Sequence, residues 1–277
     1  MMSLKLMYIT NSPDIASIAQ KTGVDRIFVD LEYIGKELRQ GGMDTVKSKH
    51  TLDDVRAVSD VLTTSELLVR VNPIHDKSDC YCSSKEEIDV AIENGADVLM
   101  LPYFKTISEV TSFISYVDGR VKTMLLIETP EAVELIDEIL AVEGVDELYI
   151  GLNDLSLGYG KKFMFEILAD GTVDKVVSKI KKTGKPFGFG GLAALDGGLV
   201  PGRMILGEHY RLGSTRVILS RSFCNANITK DIDEIESVFE NGVKAIRKQE
   251  MLWADSGDYE ENRQEVCNAV KKIVGEI

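Results

Sequence analysis

The sequence predicts one domain with an α/β fold, a (β/α)8 TIM barrel with additional C-terminal helices. Short, continuous apolar runs, which suit parallel strands covered on both faces, alternate with helical intervals along the whole chain. Eight strand candidates occur before residue 231, the number that one such barrel requires. The 44% hydrophobic content of the 277 residues supplies a core. Residues 1–277 therefore form a single barrel domain, whose active rim is expected at the C-terminal ends of the strands.

The individual elements follow from runs of Val, Ile, Leu, Met and Phe. Strands are predicted at residues 4–10, 26–32, 66–72, 96–103, 121–129, 147–154, 186–192 and 214–223. Helices are predicted at residues 13–22, 52–62, 85–94, 108–117, 130–142, 173–183, 202–212 and 231–253. Thr129 followed by Pro130 indicates a capped helix start. Glycines are predicted to end four of the helices, at Gly23, Gly95, Gly144 and Gly184.

Charge and composition exclude several classes of partner. The net charge of −13 disfavours binding to nucleic acid or to anionic membranes. No apolar stretch reaches the roughly 18–20 residues that span a bilayer, and no secretory signal is recognisable, so a cytoplasmic location is expected. The cysteines have no convincing zinc spacing and are interpreted as reduced thiols.

Glu128 and Asp154 are the most informative residues, because each follows a strongly apolar run that is predicted to be a strand. Neighbouring parallel strands would present both carboxylates at one rim. Hard cations such as Mg²⁺ or Mn²⁺ favour oxygen ligands, commonly one or two carboxylates completed by water and substrate. A metal-assisted lyase is therefore the leading hypothesis from these residues.

Five motifs support a family resemblance, in a fixed order across about residues 26–160. They read Phe28-Val29-Asp30-Leu31-Glu32, Leu68-Val69-Arg70-Val71-Asn72, Leu99-Met100-Leu101-Pro102, Leu126-Ile127-Glu128-Thr129-Pro130-Glu131-Ala132 and Ile150-Gly151-Leu152-Asn153-Asp154-Leu155-Ser156. In this combination the chain resembles the HpcH/HpaI aldolase and citrate lyase β-subunit family of the pyruvate/phosphoenolpyruvate TIM-barrel superfamily.

The resemblance implies a reaction and a set of roles. Glu128 and Asp154 match metal-binding carboxylates, and Arg70 matches the arginine that faces the keto or enolate oxygen of pyruvate. The implied activity is a class II pyruvate aldolase, a metal-dependent carbon–carbon lyase that acts on a 2-keto acid and an aldehyde. Two alternatives stay open: a citrate-lyase-like acyl-CoA thioester lyase, and a barrel that binds a metabolite without catalysis.

The chain departs from the family pattern at two positions. Tyr33 stands where many members carry a histidine that serves in acid–base chemistry, and His50, in the long polar segment that follows, is proposed as its replacement. Leu152 follows Gly151 where members often have proline. The backbone of this pair is still expected to approach a substrate carboxylate.

Cations near the predicted rim are candidate binding groups for an anionic substrate. Arg39 lies in the long loop after the second strand together with Lys36 and Lys47, and Arg221 follows the eighth strand. Solvated loop charge and ordinary barrel packing are the competing interpretations.

The C-terminal region, residues 231–277, contains more helix than one barrel unit requires. Its apolar stripe comprises Ile235, Val238, Phe239, Val243, Ile246 and Trp253. Relatives exchange a C-terminal helix between subunits, so the resemblance predicts a homo-oligomer, with packing inside one chain as the alternative.

Overall fold

Eight parallel strands form the centre of the molecule in the computed structural model, which describes residues 3–36, 50–226, 228–229 and 231–275. Each strand pairs with the next along the chain, and the last pairs with the first, so the sheet closes into a barrel. This confirms the predicted fold. The strands are β1 (Lys5–Ile9), β2 (Arg26–Asp30), β3 (Glu66–Arg70), β4 (Val98–Leu101), β5 (Lys122–Ile127), β6 (Glu147–Ile150), β7 (Phe187–Leu192) and β8 (Arg216–Leu219).

Helices surround the barrel in the described ranges. They are α1 (Pro13–Lys21), α2 (Leu52–Ser59), α3 (Ser84–Glu93), α4 (Ile107–Val117), α5 (Pro130–Glu134), α6 (Ile136–Ala141), α7 (Leu152–Gly158), α8 (Glu166–Ala169), α9 (Thr172–Thr183), α10 (Gly202–Leu212), α11 (Ile232–Ser256) and α12 (Tyr259–Val274). The single helix predicted at residues 130–142 is in fact two helices, α5 and α6. The short helices α7 and α8 were not predicted, because each is only a few residues long.

Strand ends are earlier than predicted at the active rim. Glu128 directly follows β5, whereas Asp154 lies in the first turn of α7 rather than at the end of a strand. The prediction that Asp154 ends a strand is therefore wrong, because the chain turns into a helix at Gly151. Thr129 caps α5 as predicted, since its hydroxyl accepts the Ala132 N–H at 3.1 Å and Pro130 takes the first helical position.

Two apolar layers hold the barrel together. One fills the interior of the barrel and includes Met7, Phe28, Leu68, Met124 and Tyr149. The other, larger layer lies between the strands and the helices.

Below the interior layer, ion pairs fill the N-terminal end of the barrel. The fully buried Arg26 binds Glu66 and Glu147, and Arg216 also binds Glu147. These ion pairs close this end, and a site for a ligand is expected at the opposite end, where the strands finish.

The C-terminal helices pack within the chain. Helix α11 contacts α1 and α10, and α12 contacts α10 and α8. The predicted stripe is buried there through Ile235, Phe239, Val243 and Ile246. Assembly into a homo-oligomer thus stays a prediction from the family resemblance alone. No helix within the described ranges is long and apolar enough to cross a membrane.

Candidate active site

An inner cavity of about 170 Å³ opens at the C-terminal rim of the barrel. Its polar lining includes three predicted site residues, Arg70, Glu128 and Asp154. Its apolar lining comprises Phe28, Met100, Leu126, Met164 and Ile218, with Tyr149 among them. The volume suits a small organic acid, and among the described residues that line the cavity the only cation is Arg70.

Glu128 and Asp154 are brought together as predicted, although by different elements. Both carboxylates line the inner cavity and both are almost buried, with 4% and 9% of their surfaces exposed. Glu128 Oε1 accepts the Tyr103 N–H at 3.0 Å. Asp154 Oδ1 accepts the Asn153 side-chain amide at 3.1 Å.

Gly151 makes room for the first of these carboxylates. A Cβ at this position would stand 2.8 Å from Glu128 Cβ and 2.9 Å from Oε2. Any larger residue would therefore displace the Glu128 side chain. Gly151 and Leu152, both predicted to bind substrate, line the inner cavity, and Leu152 begins α7.

The donor chemistry of this pair fits a hard divalent cation. Two carboxylates are a typical protein contribution to Mg²⁺ or Mn²⁺, with water and substrate supplying the other oxygens. Among the described residues, no cluster of three or more His, Cys, Asp or Glu side chains is arranged to hold a metal. An ion held by Glu128 and Asp154 would therefore leave most of its coordination positions to water and substrate.

Arg70 is held in place by the neighbouring strand. Its Nε donates to Asp30 Oδ1 and its Nη2 to Asp30 Oδ2, both at 2.8 Å, and Nη2 also lies 3.3 Å from Glu32 Oε2. The guanidinium stacks over the Phe28 ring, 5.5 Å from its centroid. Its Nη1 makes no hydrogen bond with the described part of the protein, and Arg70 lines the cavity. Within the described residues, Nη1 is therefore placed to donate to a ligand in the cavity.

Asp30 and Glu32 are almost completely buried, and their negative charges lie next to the Arg70 guanidinium. Burial opposes its charge, but Asp30 and Glu32 hold the pKa of the Arg70 guanidinium well above its usual range. Lys36, also buried, adds a second cation whose Nζ lies 2.8 Å from Asp30 Oδ2 and 3.5 Å from Glu32 Oε2. Burial alone would raise the pKa of Asp30, yet Arg70 and Lys36 hold it well below the usual range. Asp30 and Arg70 are therefore both charged at neutral pH.

His50 lies close to this charge cluster, beside the end of β2, but outside the lining of the inner cavity. Its Nδ1 accepts the Asp30 backbone N–H at 3.0 Å, which places the ring proton on Nε2. Burial lowers the pKa of His50 below its ordinary 6.5, so the ring is neutral at pH 7. The hydroxyl of Tyr33, which stands at the position of the family histidine, donates to the His50 carbonyl.

Three of the predicted cations are not part of the described cavity lining. Arg39 lies outside the described residues, as does Lys47. Arg221 is exposed on the turn after β8 and does not line the inner cavity. Gly188, near the start of β7, serves packing, because a Cβ there would meet Tyr149 at 2.5 Å.

Several residues of the rim received no separate role from the sequence. Asp30 and Glu32 belong to a family motif. Asp30 pairs with Arg70 because the two residues are register partners at the ends of β2 and β3. The opposite charges at these two strand ends are the sequence signal that could have predicted the pair. Tyr103 has a φ of 47°, which places a non-glycine residue in the left-handed region. No local sequence signal predicts that conformation.

Known proteins resemble this chain over most of its length. Residues 5–197 match the sequence model of the HpcH/HpaI aldolase/citrate lyase family. A hydroxypyruvate/pyruvate aldolase from Roseovarius nubinhibens is 22% identical over 198 residues, which cover 66% of this chain and 74% of that protein.

Solved structures show the same fold. An HpcH/HpaI aldolase from Desulfitobacterium hafniense superposes with a TM-score of 0.61 at 20% identity, covering 89% of this chain and 93% of its own. An HpcH/HpaI aldolase/citrate lyase family protein from Burkholderia cenocepacia also gives 0.61, at 16% identity, with coverages of 84% and 95%.

Proposed function

The chain belongs to the HpcH/HpaI aldolase/citrate lyase family, and we propose that it is a divalent-metal-dependent aldolase that makes or cleaves the bond between an aldehyde carbon and the carbon adjacent to the keto group of pyruvate or a related 2-keto acid. One observation carries this proposal: Glu128, Asp154 and Arg70 line a single small cavity at the rim of the barrel. Two anions beside one cation suit a ligand with a keto oxygen and a carboxylate.

Glu128 and Asp154 would hold Mg²⁺ or Mn²⁺. When bound, such an ion supplies Lewis acidity toward the keto oxygen and so favours the enolate that forms when the bond breaks. Gly151 and Leu152 line the same cavity, and because the Gly151 N–H donates to the Ile127 carbonyl, the Leu152 N–H would receive the carboxylate of the keto acid. The apolar floor around Met100 and Leu126 excludes water from the reacting carbon.

Arg70 contributes a preorganised positive charge. Asp30 binds its Nε and Nη2, so the guanidinium cannot rotate, while Nη1 stays available to donate to the keto oxygen. Donors that are already in place stabilise a developing oxyanion without reorganisation at the moment of reaction. Lys36 balances the second carboxylate of the cluster, so Asp30 and Glu32 do not cancel the charge of Arg70.

In the cleavage direction, the hydroxyl of the substrate loses its proton, the carbon–carbon bond breaks, and its electrons form the enolate while the aldehyde leaves. The enolate then takes a proton to give the methyl group of pyruvate. We propose His50 for the proton transfer that Tyr33 cannot perform. In this geometry Nδ1 accepts the Asp30 N–H and Nε2 carries the ring proton, so the ring would have to leave that N–H and move its proton to Nδ1 before Nε2 could take the hydroxyl proton and return it to the enolate.

The direct test is a pair of assays on the purified protein with Mg²⁺ or Mn²⁺. Deuterium exchange into the methyl group of pyruvate reports enolate formation, and product formation from pyruvate plus glyceraldehyde reports bond formation. Exchange that disappears on chelation of the metal and returns when the metal is restored is expected. Turnover of an acyl-CoA without pyruvate exchange would identify the thioester lyase instead. Binding of metal and pyruvate without exchange would indicate a barrel that has lost catalysis.

A further inference from the structure

Asn72 lies two residues beyond Arg70 and joins three segments near the rim through one buried side chain. Its Oδ1 accepts the backbone N–H groups of Tyr33 at 2.8 Å and of Ile34 at 3.0 Å. Its Nδ2 donates to Glu87 Oε1 at 2.7 Å, and its backbone N–H donates to Oε2 at 3.1 Å. The segment after β2, the end of β3 and helix α3 therefore meet at this amide.

Glu87 is the unusual member of this group. It is almost completely buried, although buried carboxylates usually pair with a cation or bind a metal. Within the described residues, its two oxygens accept hydrogen bonds only from Asn72. Burial raises the pKa of Glu87, while these hydrogen bonds and nearby His75 oppose the rise. Because a carboxylate accepts only from the NH₂ side of an amide, Glu87 turns the Asn72 oxygen toward the Tyr33 backbone.

The fixed backbone of Tyr33 leads to the residues around the site. The Tyr33 hydroxyl donates to the His50 carbonyl, and the Tyr33 carbonyl accepts the Lys36 N–H at 3.2 Å. Lys36 in turn binds Asp30, which also binds Arg70. A shift of the Tyr33 backbone would therefore move His50 and disturb the cation that balances the charge cluster.

His50 is held at two separate points. Its ring accepts the Asp30 N–H, and its carbonyl accepts the Tyr33 hydroxyl. Proton transfer through Nε2 requires the ring to leave the first of these contacts. The second contact does not involve the ring, so it can hold the backbone of His50 in place while the ring turns.

We propose that Asn72 and Glu87 are positioning residues, which hold Tyr33 so that His50 stays at the rim when its ring leaves the Asp30 N–H. Neither residue lines the inner cavity, so both act through Tyr33 rather than on the substrate. The inference rests on the proposed aldolase function, in which His50 carries the proton.

The test exchanges the amide and the carboxylate between the two positions. Asn72→Asp places a second carboxylate against Glu87, and Glu87→Gln turns an amide donor toward the N–H groups of Asn72, so each single variant loses one hydrogen bond. In the double variant the carboxylate stands at position 72 and the amide at position 87, and every contact of the group can form again. The kcat for aldol formation should fall about 10-fold or more in each single variant and return to within about 3-fold of the wild type in the double variant.

The remaining kinetic readout is binding. The KM for pyruvate and the Mn²⁺ affinity should change less than about 3-fold, because neither residue lines the cavity. Asn262→Asp is the matched control, since it removes a buried hydrogen bond from an asparagine to Glu208, between α12 and α10. This variant should lower the melting temperature and leave kcat unchanged. If the single variants behave like this control, Asn72 and Glu87 are structural and the proposal is wrong.

A readout without turnover is the ¹⁵N spectrum of the imidazoles, which contains signals from only three histidines. In the wild type, His50 should carry its proton on Nε2. Each single variant should show a mixture of tautomers, and the double variant should return to the wild-type spectrum. If the wild type exchanges no pyruvate protons, the proposed function fails, and these spectra still decide whether Asn72 and Glu87 position His50.

Two further outcomes would overturn the inference. One is a loss of kcat in the single variants that the double variant does not restore, although circular dichroism shows that it is folded. The other concerns Tyr33→Phe, which removes only the half-buried hydroxyl and serves if a single variant does not fold. This variant should show the same fall in kcat, and a wild-type kcat would mean that Tyr33 does not hold His50 for the reaction.

Discussion

Both ends of the barrel bury charged residues, but at one end these residues pair with each other and at the other end they line a cavity. At the N-terminal end, Arg26 and Arg216 share Glu147, with each guanidinium giving two hydrogen bonds to that carboxylate, and Glu66 binds Arg26 as well. At the C-terminal end, Arg70 keeps one nitrogen without a hydrogen bond to the described residues, and two carboxylates line the same cavity.

The difference teaches how stability and function are divided in this fold. Buried charges that are fully paired hold the strands in register, and removing one partner leaves the other without compensation. The two carboxylates beside the cavity favour a bound cation instead, so their charge serves ligand binding rather than strand register. Substitutions at the first end should therefore change stability, and those at the second should change activity.

The largest effect is expected for Glu128→Gln and Asp154→Asn. Each removes an anionic ligand while keeping the size of the side chain, so metal affinity should fall and kcat/KM should drop roughly 10³-fold or more. Melting temperature in the absence of metal should change little, since each substitution keeps the size of the side chain. Calorimetric titration with Mn²⁺ measures the affinity, with the exposed Glu138→Gln as control. Unchanged affinity in both variants would remove them from the ligand set.

Glu147→Gln tests the other end of the barrel. Arg216 would lose its buried carboxylate, and Arg26 would keep only Glu66, so the free energy of unfolding should fall by about 3–4 kcal/mol. Burial alone would raise the pKa of Glu147, but Arg26 and Arg216 lower it to about 2, in agreement with a tightly held charge. Urea unfolding measures the loss. Glu240→Gln, which breaks an exposed pair with Lys244, should cost less than about 1 kcal/mol.

Arg70→Lys should lower kcat/KM roughly 10²–10³-fold while the protein keeps its fold. Lysine cannot bind Asp30 with two donors and at the same time direct a third donor into the cavity. Pyruvate exchange and aldol formation are measured together. An equal fall in both would show that the variant is impaired in forming the enolate. Arg120→Lys, at an exposed pair with Asp89, is the control. A near-normal kcat with pyruvate would reject the assigned role.

His50→Asn should lower aldol turnover by about 100-fold, with less effect on metal or pyruvate affinity. The amide oxygen of asparagine can still accept the Asp30 N–H, so the variant isolates the loss of the ring. Because burial lowers the pKa of His50, the wild-type rate should decline below pH 6.5, and the variant should lack that decline. If the variant keeps the rate and the pH profile of the wild type, His50 is not the proton carrier.

The smallest effect concerns His209, which is buried outside both charge clusters. Its ring stacks on Phe189 with centroids 3.9 Å apart, its Nδ1 lies 2.8 Å from Ser214 Oγ, and its Nε2 lacks a partner among the described residues. Burial lowers its pKa to about 3. The unfolded chain therefore takes up a proton below about pH 6.5 that the folded protein refuses, so stability is lost as pH falls.

The corresponding measurement compares unfolding free energies at pH 7 and pH 5. His209→Phe keeps the stacking on Phe189 and removes the titrating group, so its loss of stability between these values should be smaller than that of the wild type by roughly 2 kcal/mol. An equal loss in both proteins would mean that other groups cause the acid sensitivity.

The sequence alone determined the barrel, because eight apolar runs with helices between them can bury their faces in few other ways. It also determined that Glu128 and Arg70 reach one rim, since Arg70 ends one parallel strand and Glu128 directly follows another. The chemistry of these two residues follows from their types and from their places at strand ends, and both are specified locally by the sequence.

Only the tertiary structure decided how those residues are held. Asp30 binds Arg70 and donates its backbone N–H to His50, and both contacts join residues that lie many positions apart. The left-handed conformation of Tyr103 depends on backbone strain. The same long-range packing places Asp154 in a helix rather than in a strand, because Gly151 lies directly against the Glu128 side chain. Contacts of this kind depend on how distant segments pack, and local sequence patterns do not encode them.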